Sequence, residues 1–292
     1  MDIKERTATL NLSEHFYSVQ CEGASTGYPA YFIRLKGCNL MCGGKDGSLM
    51  KEGKATWWCD SEAVWRQGSK TDFDVLIDAW KEQDILKWVL NGRVHLIWTG
   101  GEPTMKKHQE SIVSCINYLQ NDCTGDEFDY FNPINLYNEI ETNGTQYIND
   151  ELFDKLDQIN CSVKLANSGM SKEKRIVPES LERITSHDGH WFKFVVSEEE
   201  DLNEIENDFI KPFNIDPKRV LMMPGLDLKI VDDPNGPASA DRVGAMNTLL
   251  IGDDESVTIR GITNSNQVSA ATSSGSGLIY YRTQFYSINP SR

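Results

Sequence analysis

Three cysteines could share one inorganic centre. Cys38 and Cys42 have three residues between them, and sixteen residues separate Cys42 from Cys59. The first pair follows Lys36-Gly37 at the end of an apolar run, so a tight loop can aim both thiolates at one point. Cys59 lies in Trp57-Trp58-Cys59-Asp60-Ser61. Three thiolates on a [4Fe–4S] cluster leave its fourth iron open, and an open iron can chelate the amino and carboxylate groups of S-adenosylmethionine (SAM). Four protein ligands would make an electron carrier instead. On spacing alone two other readings stand beside this one: a zinc site, or three unrelated cysteines. Zinc usually takes a fourth ligand and favours closely spaced cysteine pairs, and no histidine follows soon after Cys59. Cys115, Cys123 and Cys161 read as core or incidental.

A second cluster of chemistry is Thr99-Gly100-Gly101-Glu102-Pro103, directly after the apolar run Val94–Trp98. Glycines there let the backbone approach a ligand closely, and Glu102 can accept a hydrogen bond from an ammonium group. A plain strand-to-loop turn would use the same residue types. Taken with the cysteines, the segment resembles the radical SAM superfamily, in which a Gly-Gly-Glu-Pro stretch contacts the amino group of SAM. Further motifs follow in order: Phe16-Tyr17-Ser18-Val19-Gln20-Cys21-Glu22-Gly23, Tyr31-Phe32-Ile33-Arg34-Leu35, Gly37-Cys38-Asn39-Leu40 and Cys59-Asp60-Ser61. Glu141-Thr142-Asn143-Gly144-Thr145, Ser162-Val163-Lys164-Leu165 with Asn167-Ser168-Gly169, and Phe192-Lys193-Phe194-Val195-Val196 complete the series. Together they resemble the 7-carboxy-7-deazaguanine synthase (QueE) family, from about His15 to Pro224.

That resemblance implies a truncated β/α barrel of the TIM type in a homodimer, with a [4Fe–4S] cluster, SAM and Mg²⁺. It implies conversion of 6-carboxy-5,6,7,8-tetrahydropterin to 7-carboxy-7-deazaguanine in a queuosine-type pathway, with electrons from a flavodoxin- or ferredoxin-like donor. By motif match, Val19, Gln20, Cys21 and Glu22 would meet the pterin, with Thr99 beside it. Arg34 would pair with the substrate carboxylate, a planar fork on a planar anion. Trp58, Asp60, Gly100, Gly101, Glu102, Asn143, Ser162 and Lys164 would line the SAM site, with Glu141 on its ribose, and Ser61 would meet Mg²⁺. Departures from the family pattern are Cys21 in place of a glycine, the long Cys42–Cys59 gap, and a divergent tail over residues 225–292. In that tail Arg282-Thr283-Gln284 resembles the family's closing segment, and Ile288-Asn289-Pro290 would approach the pocket.

The elements that must position these residues are legible as apolar runs: Tyr31–Leu35, Val94–Trp98, Leu136–Ile140, Ser162–Leu165, Phe192–Val196 and Val220–Met223. Ile112, Val113, Ile116 and Leu119 make one helical face, and Asp72–Leu90 and Glu198–Phe209 have similar spacing with acidic first turns. Alternating strands and helices predict a parallel sheet, whose chemistry gathers at the C-terminal strand ends. Polar or glycine-rich clusters sit there: Gly37–Cys42, Thr99–Pro103, Glu141–Thr145 and Asn167–Gly169. They predict one shared rim within a single domain spanning the chain. Gly43–Trp58 reads as a loop and Asn121–Asn132 as a surface excursion. Lys164, inside an apolar run, reads as a buried amine that needs a partner, whereas His15, His95, His108, His187 and His190 read as structural.

The chain has 292 residues and a formal net charge of −15. An acidic surface repels nucleic-acid phosphates and anionic membranes, so a small-molecule substrate is expected. No apolar stretch is long enough for a membrane span, and Met1–Leu12 lacks the apolar centre of a signal peptide. A cytoplasmic protein is the expectation, with cysteines used for metal or redox chemistry rather than disulfides.

Overall fold

A computed structural model describes residues 9–123 and 125–224, with the backbone of residues 249–250, 258–262 and 268–272. The tail segments singled out at Arg282–Gln284 and Ile288–Pro290 lie outside the described residues. The strands are β1 (Thr9–Val19), β2 (Pro29–Leu35), β3 (Ser69–Asp72), β4 (His95–Gly100), β5 (Asn138–Thr142), β6 (Gln158–Val163), β7 (His190–Val196) and β8 (Val220–Pro224). Beyond them come β9 (Leu249–Leu250), β10 (Thr258–Ile262) and β11 (Val268–Thr272). One sheet has the order β3-β1-β2-β4-β5-β6-β7-β8-β9, and β10 and β11 form a separate antiparallel pair.

From β2 to β8 the order follows the chain, leaving aside β3, and every pairing is parallel. Strand order never reverses in this stretch, so right-handed crossovers bring all the helices to one face of the sheet. The sequence is written for that asymmetry. Tyr31, Ile33, Leu96, Trp98, Ile140, Ile159, Phe192 and Phe194 share one face and are fully buried. They join a core with Leu76 and Trp80 of the helix Asp74–Glu82, Ile112 and Ile116 of Lys106–Asn117, and Leu181 and Ile184 of Pro178–Thr185. Tyr31 meets Trp80 edge-on at 5.6 Å between ring centroids, a favoured aromatic geometry.

The other face carries Arg34, Thr99, Glu139, Glu141, Gln158, Asn160, Ser162 and Lys193 in neighbouring registers. A period of two thus separates an apolar, helix-covered side from a polar side.

Three sequence expectations change. β1 and β3 were not expected; they add antiparallel to the sheet edge, Thr9 opposite Asp72 and Tyr17 opposite Tyr31. β1 hides because only Leu10 and Leu12 among its residues are buried, so it has no sustained alternation. The expected helix Asp72–Leu90 is a strand end followed by two helices, Asp74–Glu82 and Leu86–Leu90. Asp84, at φ 53°, makes the break, a left-handed conformation that a short polar side chain tolerates. The strand expected at Ser162–Leu165 begins four residues earlier, at Gln158, because its inner positions Gln158 and Asn160 are polar. Among the described residues no helix is long and apolar enough to cross a membrane.

Leu96, wholly buried in β4, tests this layering. Leu96→Ala should destabilise the protein by about 2–5 kcal/mol in chemical denaturation, with Val75→Ala, on the half-open helix surface, within about 0.5 kcal/mol. Equal losses at the two sites would contradict the packing described.

Candidate active site

The C-terminal ends of β2, β4, β5 and β6 are bonded directly to one another. Glu102, after β4, is completely buried. Its Oε1 accepts from the Thr104 N–H (2.9 Å), the Thr104 hydroxyl (2.5 Å) and the Thr142 hydroxyl (2.7 Å). Oε2 accepts from the Asn143 N–H at 2.7 Å. Burial pushes the Glu102 carboxyl above its usual range, against the pull of these donors. The Asn143 side chain donates to Asn39 at 3.0 Å, and Asn39 donates to Thr145 at 2.7 Å. The four clusters expected to share a rim do share one.

Gly101 is where the Gly-Gly-Glu-Pro segment presses on the cysteine loop. A Cβ there would lie 2.2 Å from the Gly37 carbonyl oxygen and 2.6 Å from Cys38 Cβ. Contact that close excludes any side chain. The Glu102 N–H completes the join by donating to the Gly37 carbonyl at 2.9 Å.

The long Cys42–Cys59 segment is folded rather than a bare loop. It contains a helical turn, Ser48–Lys51, and its base is closed by the Cys59 N–H donating to the Cys42 carbonyl at 3.2 Å. Gly43 N–H donates to the Ser168 carbonyl (2.8 Å), Thr56 N–H to the Asn167 carbonyl (2.9 Å), and Trp57 Nε1 to Asn167 Oδ1 (2.8 Å). The expansion is therefore buttressed by the turn after β6. Gly43 is required there, since a Cβ would sit 2.3 Å from Trp58 Cβ.

The thiols of Cys38, Cys42 and Cys59 are free, and they lie close enough that Cys42 and Cys59 help raise the Cys38 pKa and Cys59 helps raise that of Cys42. Burial is the larger cause: it pushes Cys38 up to about 12 and moves Cys42 the same way. Such thiols ionise when a cation stands beside them. Three N–H groups already point at sulfur: Leu40 N and Asn143 Nδ2 at Cys38 (3.4 and 3.9 Å), and Trp65 Nε1 at Cys59 (3.4 Å). Thiolates with N–H donors are the ligand set of an iron–sulfur cluster, and these residues fit one. Among the described residues no three His, Cys, Asp or Glu side chains could hold a single metal ion. Ser61 places its hydroxyl 3.4 Å from Cys59 Sγ.

Below the rim, the polar face carries a continuous hydrogen-bond network. His95 pairs with Glu139 at 2.5 Å, and Glu139 Oε2 also accepts from Ser25, Gln158 and Asn160. Asn160 and Gln20 both donate to Glu141 Oε1, at 3.0 and 3.2 Å. Lys193 Nζ lies 2.5 Å from Glu141 Oε2 and 3.5 Å from Glu22 Oε1. Two carboxylates hold the ammonium charged despite its burial. Burial, with Glu22 adding to it, pushes Glu141 up to about 7 even beside Lys193.

The remaining expected residues are distributed over this frame. Gln20 is buried, Cys21 is exposed with its thiol toward the Val19 carbonyl, and Val19 is exposed. Arg34 donates from Nε to Glu14 at 2.7 Å, its cross-strand neighbour. Thr99 is buried on the polar face and Ser162 half-buried beside Lys164. Asp60 and Trp58 are exposed. Lys164 is not the buried amine expected: it is half-buried, with its ammonium on the Ser162 hydroxyl and over the Trp57 ring. The buried amine is Lys193, 2% exposed. Its signal was present as a single lysine between Phe192 and Phe194, whose inward direction only the register decides. All five histidines are engaged in contacts within the protein, as expected of structural residues.

A scan against protein-family models returns no match. Among curated proteins, the chain is similar to 7-carboxy-7-deazaguanine synthase from Clostridium acetobutylicum, 30% identical over 70% of this chain and 76% of that one. The chain belongs to the 7-carboxy-7-deazaguanine synthase family. The synthases from Pyrobaculum aerophilum (28% identical, 75% of this chain and 80% of that one) and Rhodopirellula baltica (27%, 79% of each) are similar over the same extent. Among solved structures, the crystal structure of QueE from Escherichia coli covers 76% of this chain and 87% of that one, at 19% identity and a TM-score of 0.46. Membership makes this a radical SAM enzyme, of a family that needs a [4Fe–4S] cluster and SAM.

Two measurements test the site. Glu102→Gln puts an amide donor against an N–H or hydroxyl donor and should cost about 1–3 kcal/mol of stability. A loss below about 0.5 kcal/mol would show that these acceptor contacts carry nothing. Glu141 has a folded pKa of about 7 against an ordinary 4.5. A raised carboxyl pKa contributes stability that is complete below the unfolded value and lost as pH rises through the folded one. Wild type should therefore lose stability relative to Glu141→Gln between about pH 4.5 and 7; a difference independent of pH would refute the shift.

Proposed function

We propose that this enzyme converts 6-carboxy-5,6,7,8-tetrahydropterin to 7-carboxy-7-deazaguanine with loss of ammonia, using SAM catalytically. The observation that carries the reading is the three-cysteine rim joined to an inner sheet face of charged and amide side chains. A radical enzyme needs its initiating group beside a pocket whose walls orient a polar heterocycle and keep water from the reacting carbon. When bound, the cluster supplies one electron for reductive cleavage of SAM. Cys38, Cys42 and Cys59 would hold it, with Gly101 and Asn143 beside Cys38.

The chain's own residues supply orientation. Arg34 lies on the same face as Thr99 and Glu141, and Glu14 occupies its Nε while the guanidinium ends have no partner among the described residues. Those ends offer a fork to the substrate carboxylate. Glu141, Gln20 and Glu22 present acceptors to the N–H groups of a pterin or the hydroxyls of a ribose. The consecutive parallel order supports a partial β/α barrel, with the polar face as its interior. Mg²⁺ at Ser61, a flavodoxin- or ferredoxin-like electron donor, a homodimer and a cytoplasmic location belong to the same reading and rest on family membership.

Anaerobically reconstituted protein given carboxytetrahydropterin, SAM and a reductant should form the carboxydeazaguanine. Arg34→Ala should lower kcat/KM for the pterin by roughly 10–100-fold, the value of one lost charge-assisted contact. SAM cleavage without this product in the wild type would point to another radical SAM substrate.

A further inference from the structure

The carboxylate of Glu141 holds the β1–β2 loop by two separate routes. Gln20, at the start of that loop, donates to Glu141 Oε1 at 3.2 Å, and its own Oε1 accepts the Glu22 N–H at 3.4 Å. Lys193 bridges Glu141 Oε2 (2.5 Å) to Glu22 Oε1 (3.5 Å). Lys193 is 2% exposed, while the Glu141 and Glu22 side chains are 13% and 21% exposed. One buried ammonium therefore serves two carboxylates that both reach the open interior. The two contacts are unequal, tight to the strand and loose to the loop.

We infer that Lys193 is a positioning residue that couples the two ligands, so that occupancy of Glu141 by the SAM ribose tightens the Gln20–Glu22 loop around the pterin. This rests on the functional reading above. The physical argument concerns sharing. Hydroxyls donating to Glu141 satisfy part of its acceptor capacity, so the Lys193 ammonium is drawn less strongly to that carboxylate. Its pull on Glu22 rises accordingly, and the loop loses freedom before the pterin arrives. A second ligand that meets an already ordered loop pays less conformational entropy, which appears as positive cooperativity. Linkage requires the effect to be reciprocal: the pterin must tighten SAM by the same factor. An apolar residue at position 193 would remove the connection and, with it, the cation that holds the Glu141 pKa down, so the conservative arginine variant is the matched control.

The test is binding rather than turnover. On anaerobically reconstituted enzyme, the dissociation constant of S-adenosylhomocysteine, which cannot be cleaved, is measured by calorimetry with and without saturating carboxytetrahydropterin. Wild type should show tightening by roughly 5–50-fold, within the usual span of coupling energies. Lys193→Met should bring that ratio to about one, and Lys193→Arg should keep most of it. Glu22→Gln, which leaves the buried Lys193–Glu141 pair in place, should reduce the ratio without loss of the cluster absorbance, guarding against a misfolded Lys193→Met. A wild-type ratio near one, or an unchanged ratio in Lys193→Met and Glu22→Gln, overturns the coupling while leaving the proposed reaction standing. Failure of either ligand to bind wild type overturns both.

Discussion

The buried carboxylate of Glu102 is the constraint on which the site depends. Its two oxygens receive four donors from the turns after β4 and β5, and its own N–H holds the Gly37 carbonyl. Three strand ends are thereby locked at one point, with Gly101 against Cys38 and no room for a Cβ. A carboxylate without exposure is costly unless its lone pairs are met. Here the cost is offset by contacts that can form only when the rim is assembled. The cysteine loop inherits its position from this knot, and its long insertion is steadied separately by Asn167 and Ser168.

Beneath the rim, the polar face solves a different problem. Glu139, Gln158, Asn160 and Lys193 are buried side chains that an ordinary sheet core would exclude, with the partly buried Glu141 among them. They satisfy one another in a connected network, and where they reach the interior they leave acceptors facing it. A surface of this kind suits a flat heterocycle rich in N–H groups. The helix-covered face supplies the stability that such an interior lacks, through the continuous apolar layer around Trp80, Trp98 and Phe192.

Cys21, at the position where the family resemblance led us to expect glycine, is exposed in the β1–β2 loop. Its thiol turns to the Val19 carbonyl rather than into the polar network. The loop accommodates the extra side chain because its inward contacts belong to Gln20 and Glu22, the residues on either side. The departure thus falls on the outward position of the loop.

The parallel α/β class, the four clusters at strand ends and the family were legible in the sequence alone, because each of these is written in local spacing or in an ordered set of short motifs. Six of the strands were legible because at least one face is continuously apolar. β1 was not, since its residues are half-exposed and its strand state exists only through pairing with β2 and β3. Which lysine is buried was likewise decided by tertiary structure. Lys164 and Lys193 both interrupt apolar runs, but only strand register places Lys193 between Glu22 and Glu141 and leaves Lys164 at the rim. Glu102 shows the same division: its presence in the motif was plain, while its role as the knot between strand ends came from residues forty positions away in the chain, brought together by parallel pairing.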